Sequence, residues 1–424
     1  MKVLLINRSD ATGGAAVVSR RLMEALRRAG ADARMLVVEK TTDSPFVEQA
    51  APELCSRIPF LAERLKIFAA NGFNRRDLFK ADTASDGLEL WRHPLVRGAD
   101  VICLNWVNQG MLSLRGIRRI AALGKPIVWT MHDMWCLTGI CHHAGSCTRW
   151  ERDCGDCPLL GRRAAPRDIS ARVHARKQAL YDAARPVFVA VSRWLAAKAS
   201  RSSLLATRRV RVIPNAFPLS DHPARAARRD DDPITLIAGA ARLDDPVKGL
   251  PLLLGALRLL RAEDPALADR LRLLTFGSFR DPGAMQGVAV SHTHLGTLRG
   301  AAVAEAYGRA DIVVSASLYE TLPGTLVEGQ DCGCIPVSFD RGGQSDIVSE
   351  GRTGFLAHLD DSQTPEESAR ELADAIRRAA QVVAEGQRLA EFREAMRKSV
   401  VEKFAAQSVA QAYMELFREL LAET

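Results

Sequence analysis

Two carboxylates with seven residues between them, Glu320 and Glu328, stand on either side of a Pro323-Gly324 turn. The turn follows the apolar run 311–317, which predicts a strand, a tight loop at its carboxyl end and a helix that begins near Pro323. Such a helix directs unpaired backbone N–H groups and the positive end of its dipole above the sheet, where a phosphate binds well. We expect Glu320 to hold a polar group beside that phosphate and Glu328 to hold two vicinal hydroxyls, a combination that describes a sugar nucleotide.

Two cations, Arg242 and Lys248, follow the strand-like run 234–240. Cations at the carboxyl end of a strand neutralise a pyrophosphate group well. Taken alone, the two would be read as solvated loop charges. Their position in the same half of the chain as Glu320 and Glu328 favours a role in pyrophosphate binding.

The first half of the chain offers a glycine turn and a histidine. Gly13 and Gly14 follow the first predicted strand, and small residues there let the backbone approach a ligand closely. An ordinary tight turn explains them about as well, and without a full G-x-G-x-x-G pattern a nicotinamide site is disfavoured. His132 ends the apolar run 126–132, at the sheet edge where α/β proteins bind ligands. It is therefore a candidate to contact a sugar or the reaction centre, with Asp133 as its orienter, although a structural turn fits the same dipeptide.

A cysteine-rich stretch follows that histidine. Four of its thiols have the spacing C-x5-C-x6-C-x2-C, which predicts a structural zinc site that pins a long loop. They belong to Cys141, Cys147, Cys154 and Cys157. Only the last two have the usual ligand spacing, so four free thiols remain the alternative, and His142 or His143 would be able to replace one sulfur. A disulfide is disfavoured in a reducing compartment.

Strand-like apolar runs alternate with amphipathic stretches of helix length through nearly the whole chain. This alternation predicts an α/β fold of two doubly wound domains with parallel sheets. The predicted strands are 3–7, 33–39, 100–107, 126–132, 187–192, 234–240, 271–277, 311–317 and 335–339. The predicted helices are 14–29, 111–123, 248–263, 299–309, 323–332 and 364–385.

The domain boundaries follow from the same pattern. We expect an N-terminal domain over 1–215, which carries the cysteine-rich insertion 136–160, and a C-terminal domain over 216–403. The proline-rich and charged stretch 211–233 predicts the hinge between them. A last helix within 404–424 is expected to pack back towards the N-terminal domain.

The composition, with 47% hydrophobic and 25% charged residues, is that of a soluble globular protein. No apolar run approaches the roughly 18 residues that span a membrane, and the amino terminus predicts a strand instead of a secretory signal. We therefore expect a cytoplasmic protein. With only 6% aromatic residues and no recognition motif, nucleic-acid binding is disfavoured.

The net charge of +8 is compatible with anionic partners. Arginine pairs occur at 75–76, 162–163, 208–209 and 228–229. These pairs either belong to a solvated basic surface or attract a phosphorylated substrate or an anionic membrane. The stretch 59–80 mixes apolar and basic residues, which predicts a surface helix or a contact with a lipid-linked acceptor.

Taken together, these residues resemble the retaining glycosyltransferases of family four, whose GT-B architecture has two Rossmann-like domains that face across a cleft. Residues 319–337, YETLPGTLVEGQDCGCIPV, are similar to the E-x7-E signature of that family. I-P-N-A at 213–216 and G-G-Q-S-D-I-V at 342–348 resemble two further family motifs. The resemblance implies that Glu320 contacts donor-sugar hydroxyls and Glu328 the nucleoside ribose. It also implies that backbone groups of four residues face the sugar and phosphates, namely Leu322, Pro323, Gly324 and Thr325.

The same resemblance implies a pyrophosphate-binding role for Arg242 and Lys248, although one extra residue separates them here. Ala241 also stands where the family usually has glycine. The stretch 129–141 resembles a subgroup involved in colanic acid and other exopolysaccharide assembly. This chain departs from that subgroup at 104–108, where Asn105 stands in place of the usual histidine, and we assign Asn105 no catalytic role.

The activity that this resemblance implies is transfer of a hexose from a nucleotide diphosphate sugar to a hydroxyl of a glycan or lipid-linked saccharide. The anomeric configuration would be retained, and no catalytic metal would be needed. The competing interpretations are a GT-B sugar-nucleotide epimerase, an inverting transferase, and a non-catalytic, zinc-stabilised protein that binds nucleotide sugars.

Overall fold

The computed structural model describes residues 1–75, 77–219 and 232–423. The chain divides into two compact units, a first unit of Met1–Ala216 with Ala406–Thr424 and a second unit of Phe217–Ala405. Arg76, the arginine pair 228–229 and residues 220–231 of the predicted hinge lie outside the described residues.

The described residues of the first unit form a seven-stranded parallel sheet, ordered β3-β2-β1-β4-β5-β6-β7. Its strands are β1 (Lys2–Ser9), β2 (Asp32–Glu39), β3 (Val47–Gln49), β4 (Val101–Leu104), β5 (Ile127–Met131), β6 (Val187–Ala190) and β7 (Val210–Val212). The helices between them are α1 (Gly14–Arg28), α2 (Glu53–Ala70), α3 (Pro94–Gly98), α4 (Leu114–Ala121), α5 (Ile169–Ala184) and α6 (Arg193–Arg201).

The described residues of the second unit form a six-stranded parallel sheet, ordered β10-β9-β8-β11-β12-β13. Its strands are β8 (Ile234–Arg242), β9 (Leu271–Ser278), β10 (Ser291–His294), β11 (Ile312–Ser315), β12 (Ile335–Phe339) and β13 (Phe355–Ala357). Its helices are α7 (Leu250–Glu263), α8 (Pro265–Arg270), α9 (Ala301–Gly308), α10 (Gly324–Asp331), α11 (Gln344–Ile347), α12 (Pro365–Ala384) and α13 (Gly386–Phe404). Within the described part of the chain, no helix is both long and apolar enough to cross a membrane.

The predicted α/β class with two parallel-sheet domains is confirmed. Each predicted strand and helix is present. The strands were recognisable because continuous apolar runs are typical of strands buried on both faces of a parallel sheet. The strands that the pattern missed are β3, β7, β10 and β13, each of three or four residues. All four are edge strands. β3 and β7 form the edges of the first sheet, and β10 and β13 form the edges of the second.

The last helix, α14 (Ala406–Ala422), packs in the core of the first unit. Its buried side chains Val409, Tyr413 and Phe417 recur every four residues and therefore share one helix face. The Tyr413 hydroxyl also lies 3.0 Å from the hydroxyl of Thr130 on β5. The carboxyl-terminal segment thus completes a core that begins more than 400 residues earlier in the chain, with Val3.

Truncating the buried ring of α14 tests this packing. Phe417 is fully buried, so Phe417→Ala is expected to lower the free energy of unfolding of the first unit by about 3 to 5 kcal/mol. Leu421 lies on the same helix but is exposed, and Leu421→Ala is expected to cost less than about 0.5 kcal/mol. Urea unfolding followed by circular dichroism measures both values, and equal losses would contradict the packing.

Candidate functional site

The predicted site residues of the second unit gather at the reversal of strand order between β8 and β11. β8 ends at Arg242, and Lys248 closes a short 3-10 turn that follows it. The loop after β11 carries Glu320, and α10 begins directly afterwards at Gly324. The carboxyl ends of parallel strands at such a reversal are where open α/β sheets bind ligands.

An ion pair joins two of these residues. Lys248 Nζ donates a hydrogen bond to Glu320 Oε1 at 2.6 Å. The two side chains are 33% and 21% exposed, so the pair is partly shielded yet open to a ligand. An ammonium group has three donors, and this bond engages one of them.

The backbone around Lys248 fits closely against the end of β11. Gly249 has a φ of 63°, and a Cβ there would lie 2.0 Å from the carbonyl oxygen of Ala316. Asp245 accepts a hydrogen bond from Val247 N at 3.1 Å and so caps the turn. The sequence D-P-V-K-G therefore places Lys248 through a capped turn that only glycine can close at this distance.

Arg242 has different partners from Lys248. Its guanidinium forms an ion pair with Asp245 and lies 3.6 Å from Asp244 Oδ1. Asp244 in turn accepts hydrogen bonds from the backbone N–H groups of Arg280 and Asp281, each at 2.7 Å. The positive charge of Arg242 is compensated locally by two carboxylates, whereas Lys248 faces one.

The glycine motif at 342–348 fixes the position of Glu320. Gly343 N donates to the carbonyl oxygen of Glu320 at 2.9 Å, and Glu320 and Gly342 form a parallel β-bridge. Gly342 has a φ of 141°, and a Cβ there would lie 2.2 Å from that carbonyl oxygen. The close approach requires glycine at this position.

The amino terminus of α10 carries no side-chain cap. Its N-cap residue, Pro323, makes no side-chain hydrogen bond to it, and its first turn contains no acidic residue. Leu322 and Pro323 are buried, while Gly324 and Thr325 are half-buried. The first N–H groups and the positive end of the helix dipole therefore suit an anion such as a phosphate.

Glu328 lies one helical turn after Gly324 and on the same face of α10. It is half-buried. The buried hydroxyl of Tyr307 is close by, since burial and the negative charge of Glu328 both raise the pKa of Tyr307. The predicted second carboxylate is thus held beside the amino terminus of the helix.

The glycine turn of the first unit is open. Gly13, with a φ of 90°, precedes α1, and a Cβ at Gly13 or Gly14 would meet no atom within 4 Å. Behind it, buried Asp10 accepts hydrogen bonds from the backbone and side chains of Thr41 and Thr42, at 2.5 to 2.9 Å. Burial works against ionisation of Asp10, but these bonds outweigh it and lower its pKa. The turn is firmly anchored and leaves space above its glycines.

His132 lies at the carboxyl end of β5, where the side chain of Asn105 contacts it. His132 Nε2 is 3.1 Å from Asn105 Oδ1. Burial lowers the pKa of His132 to about 4, against the opposing effect of Asp133. The imidazole is therefore neutral near pH 7, which suits it to hydrogen bonding more than to proton abstraction. Asn105 and His132 line a small pocket together with residues 214–216 of the I-P-N-A motif.

A buried histidine between two carboxylates supports this region. His142 Nδ1 lies 2.7 Å from Asp133 Oδ2, and its Nε2 lies 2.6 Å from Asp82 Oδ2. Burial disfavours the charged imidazole, but Asp133 and Asp82 outweigh it and raise the pKa of His142 to about 10. Trp106 Nε1 also donates to Asp133 at 2.9 Å, and Arg64 pairs with Asp82. This arrangement was not foreseen, because Asp82 and His142 are 60 residues apart in sequence.

The structure does not support the predicted zinc site. Among the described residues, no three His, Cys, Asp or Glu side chains are placed to hold a metal ion. In the metal-free protein, burial raises the pKa of Cys141 and Cys154 to about 11 and that of Cys157 to about 12. His142, the alternative ligand, is engaged by carboxylates.

Other contacts hold the cysteine-rich segment. Asp168, the N-cap of α5, accepts a hydrogen bond from Cys157 N at 2.8 Å. Buried Lys177 donates to the carbonyl oxygens of Trp135 and Thr138 at 2.6 and 3.0 Å. Hydrogen bonds to α5 and its N-cap residue therefore hold this segment in place.

Two family models match the chain, one in each half. Residues 12–221 match the model described as Glycosyltransferase Family 4. Residues 233–381 match the model described as Glycosyl transferases group 1. The second match includes Arg242, Lys248 and the loop from Glu320 to Glu328.

Several known proteins are similar over the whole chain. A putative colanic acid biosynthesis glycosyl transferase, WcaC, of Escherichia coli (strain K12) is 24% identical over 99% of this chain and 100% of its own. Among solved structures, Anabaena HepE in complex with UDP has a TM-score of 0.59 at 17% identity, over 99% of this chain and 100% of its own. A sucrose-phosphate synthase of Thermosynechococcus elongatus has a TM-score of 0.62 at 18% identity, over 100% of both chains.

Replacing Gly342 tests the geometry of the Glu320 loop. Gly342→Ala places a methyl group against the Glu320 carbonyl and is expected to weaken nucleoside diphosphate binding by about tenfold or more, because the loop must move. Gly351→Ala is the matched control, since Gly351 also has a positive φ, of 68°, but open space around its Cβ position. Both variants place a side chain at a positive φ, but only Gly342→Ala also meets a carbonyl oxygen, and isothermal titration calorimetry with UDP compares their affinities. Equal affinities in the two variants would contradict the assigned contact.

The pKa of His142 predicts a pH dependence of stability. Its folded-state pKa of about 10 lies above its ordinary value of 6.5, so its stabilising effect is complete below that value and is lost as the pH rises towards 10. We expect the free energy of unfolding of the unsubstituted protein to fall relative to that of His142→Gln over this range. Burial lowers the pKa of Lys177 to about 7, which gives a slope of opposite sign. That slope is common to both proteins and cancels in the difference, so a constant difference from pH 6.5 to 10 in urea unfolding would refute the assignment.

Proposed function

The chain belongs to the family 4 glycosyltransferases, which have the GT-B fold, and we propose that it is a retaining hexosyltransferase. It moves a hexose from a nucleotide diphosphate sugar to a hydroxyl of a glycan or lipid-linked saccharide in polysaccharide biosynthesis. The observation that carries the proposal is the ion pair of Lys248 and Glu320 beside the uncapped amino terminus of α10.

The second unit holds the donor. The diphosphate lies over the first N–H groups of α10, at Gly324 and Thr325, and accepts the remaining hydrogen bonds of the Lys248 ammonium. Glu320, fixed through its backbone by the glycine motif, contacts hydroxyls of the donor sugar. Glu328, one turn along the same helix face, accepts hydrogen bonds from the ribose. Arg242 adds positive charge at the end of β8, weakened by its two aspartates.

The transfer breaks the bond between the anomeric carbon and the β-phosphate oxygen and forms a bond from that carbon to the acceptor oxygen. Both events take place on one face of the sugar, so the configuration is retained. The proton of the acceptor hydroxyl passes to the departing phosphate. The protein must therefore stabilise negative charge on the diphosphate, which Lys248 and the dipole of α10 supply in fixed positions. Glu320 orients the donor and does not attack it.

The first unit serves the acceptor side in this proposal. The neutral imidazole of His132, held by Asn105, is suited to hydrogen-bond a sugar hydroxyl. The open turn at Gly13 and Gly14 lets a ligand phosphate or sugar approach the backbone at the amino terminus of α1. The described cysteines are free thiols, which agrees with a place in the reducing cytoplasm.

The related proteins support the chemical class of the substrates. WcaC is named for colanic acid biosynthesis, which favours an exopolysaccharide acceptor. HepE has been crystallised with UDP, with UDP and glucose and with UDP-glucose, which makes uridine nucleotides the first donors to test. That likeness, at 16 to 17% identity, extends to the fold alone.

Removing the ammonium group tests the assignment of the phosphate site. Lys248→Ala is expected to lower kcat by about a hundredfold or more, because charge on the leaving diphosphate is no longer neutralised. Lys398→Ala, at an exposed position of α13 in the same unit, is the control and should retain full activity. Both variants should keep the thermal unfolding midpoint of the parent protein.

The measurement is release of nucleoside diphosphate with and without a saccharide acceptor, followed by NMR of the product. A glycosidic product with the anomeric configuration of the donor supports retaining transfer, and the opposite configuration would exclude it. Turnover that survives Lys248→Ala would show that the phosphate group is bound elsewhere. Isomerised sugar without an acceptor would favour an epimerase.

A further inference from the structure

A group of exposed apolar side chains covers one region of the first unit. The most exposed large apolar residues among those described, 57 to 73% exposed, all lie between residues 54 and 79, whereas the next, Val212, is 47% exposed. We call this group the α2 patch. It consists of Leu54, Ile58, Leu61, Leu65, Phe73 and Phe79. Exposed apolar side chains grouped in this way mark an interaction site more often than a lone exposed leucine does.

The helix itself is firmly held, so the exposure of the patch does not result from a loose segment. Leu54, Ile58, Leu61 and Leu65 recur at steps of four, three and four and form one face of α2. On the opposite face, the buried carboxylate of Glu63 accepts N–H hydrogen bonds from residues 83, 84 and 110, at 2.6 to 2.9 Å. The rest of the unit thus fixes α2 with its leucines outward.

Basic side chains surround the patch. Six exposed cations lie on α2 or within residues 75–80 and 162–163, and three of them form ion pairs with carboxylates that are wholly or partly exposed. The cations are Arg57, Lys66, Arg75, Lys80, Arg162 and Arg163, and the carboxylates are Glu53, Asp77 and Asp86. Arg163 donates to the carbonyl oxygen of Ala69 at 2.7 Å and lies 5.5 Å from the ring centre of Phe73. The cysteine-rich segment thereby adds positive charge next to the carboxyl end of α2.

We propose that the α2 patch rests on an anionic lipid bilayer, with its leucines in the acyl boundary and its cations at the headgroups. A leucine, isoleucine and phenylalanine face bordered by Lys and Arg is typical of helices that lie in a membrane interface. Each cation near the surface gains from the negative potential of anionic lipid, and long basic side chains reach the headgroups while their stems stay apolar. Protein interfaces also favour Phe and Arg, but they favour Tyr, Trp and Met as well and are depleted of Lys, whereas the patch has none of those three residues and is bordered by Lys66 and Lys80.

The patch is also connected to the proposed acceptor side. Arg64 of α2 pairs with Asp82, and Asp82 contacts His142, which contacts Asp133 beside His132. This connection has functional meaning only if the proposed transfer is correct, because a lipid-linked saccharide would then be drawn from the surface on which α2 lies. Membrane binding itself depends on the patch alone.

Co-sedimentation of the full chain with vesicles tests the proposal. We expect binding to vesicles of phosphatidylcholine with phosphatidylglycerol and much weaker binding to phosphatidylcholine alone. Leu61→Gln with Leu65→Gln should lower the partition coefficient by about tenfold or more, since two apolar side chains lose their burial in lipid. Arg57→Gln with Arg75→Gln should weaken binding to the anionic vesicles only.

The matched control is Val401→Gln, at an exposed apolar position of α13 in the second unit, which should bind vesicles as the parent protein does. All variants alter exposed side chains, so unchanged thermal unfolding confirms that they are folded. Parent protein that stays in the supernatant, or a double leucine variant that sediments equally, would overturn the proposal. Light scattering that shows a dimer dispersed by the leucine substitutions, without vesicle binding, would assign the patch to self-association instead. Lys248→Ala should still sediment with anionic vesicles, so failure of the proposed transfer and failure of membrane binding are distinguishable.

Discussion

The reversal of strand order between β8 and β11 is the constraint on which the proposed donor site depends. Two neighbouring parallel strands whose connections leave in opposite directions keep the space above their carboxyl ends clear. The turn after β8 and the loop after β11 then meet, and Lys248 reaches Glu320 at 2.6 Å. Gly249 and Gly342 permit this meeting because any larger residue would press on the carbonyls of Ala316 and Glu320. The amino terminus of α10, which has no side-chain cap, begins four residues after Glu320.

The first unit repeats this plan with different chemistry. β1 and β4 are its reversal point, and the glycine turn at Gly13 and Gly14 follows β1. Around β5, buried polar groups bind to one another and stabilise the fold. His142 is held as a cation between Asp82 and Asp133, whereas nearby His132 is kept neutral by burial. Both imidazoles are buried, but His142 lies within hydrogen-bond distance of two carboxylates, whereas the side chain of Asn105 contacts His132.

Features that depend on consecutive residues were predictable from the sequence. Features that depend on contacts between distant residues were not. Long apolar runs identify the central strands because both faces of a parallel sheet are buried. Edge strands such as β10, with the polar sequence Ser291–His294, carry no such pattern. The strand, the loop and the helix around Glu320 and Glu328 were predictable because they follow one another directly in the sequence. The partners of Arg242, the contact of Gly342 with Glu320 and the position of His142 depend on packing across the fold. The cysteine spacing suggested zinc, but spacing alone does not fix whether the sulfur atoms converge on one point, and in the described residues they do not.

The central claim is that the amino terminus of α10, with Lys248, binds the diphosphate of the donor. Hydrogen–deuterium exchange of the full chain, with and without saturating UDP, observes those backbone amides directly. We expect slower exchange in peptides that contain Gly324 and Thr325, because their N–H groups become hydrogen-bonded to phosphate. We also expect protection at Gly343, whose bond to Glu320 is fixed when the loop is occupied. Unchanged exchange at Gly324 and Thr325 while UDP is bound would contradict the account.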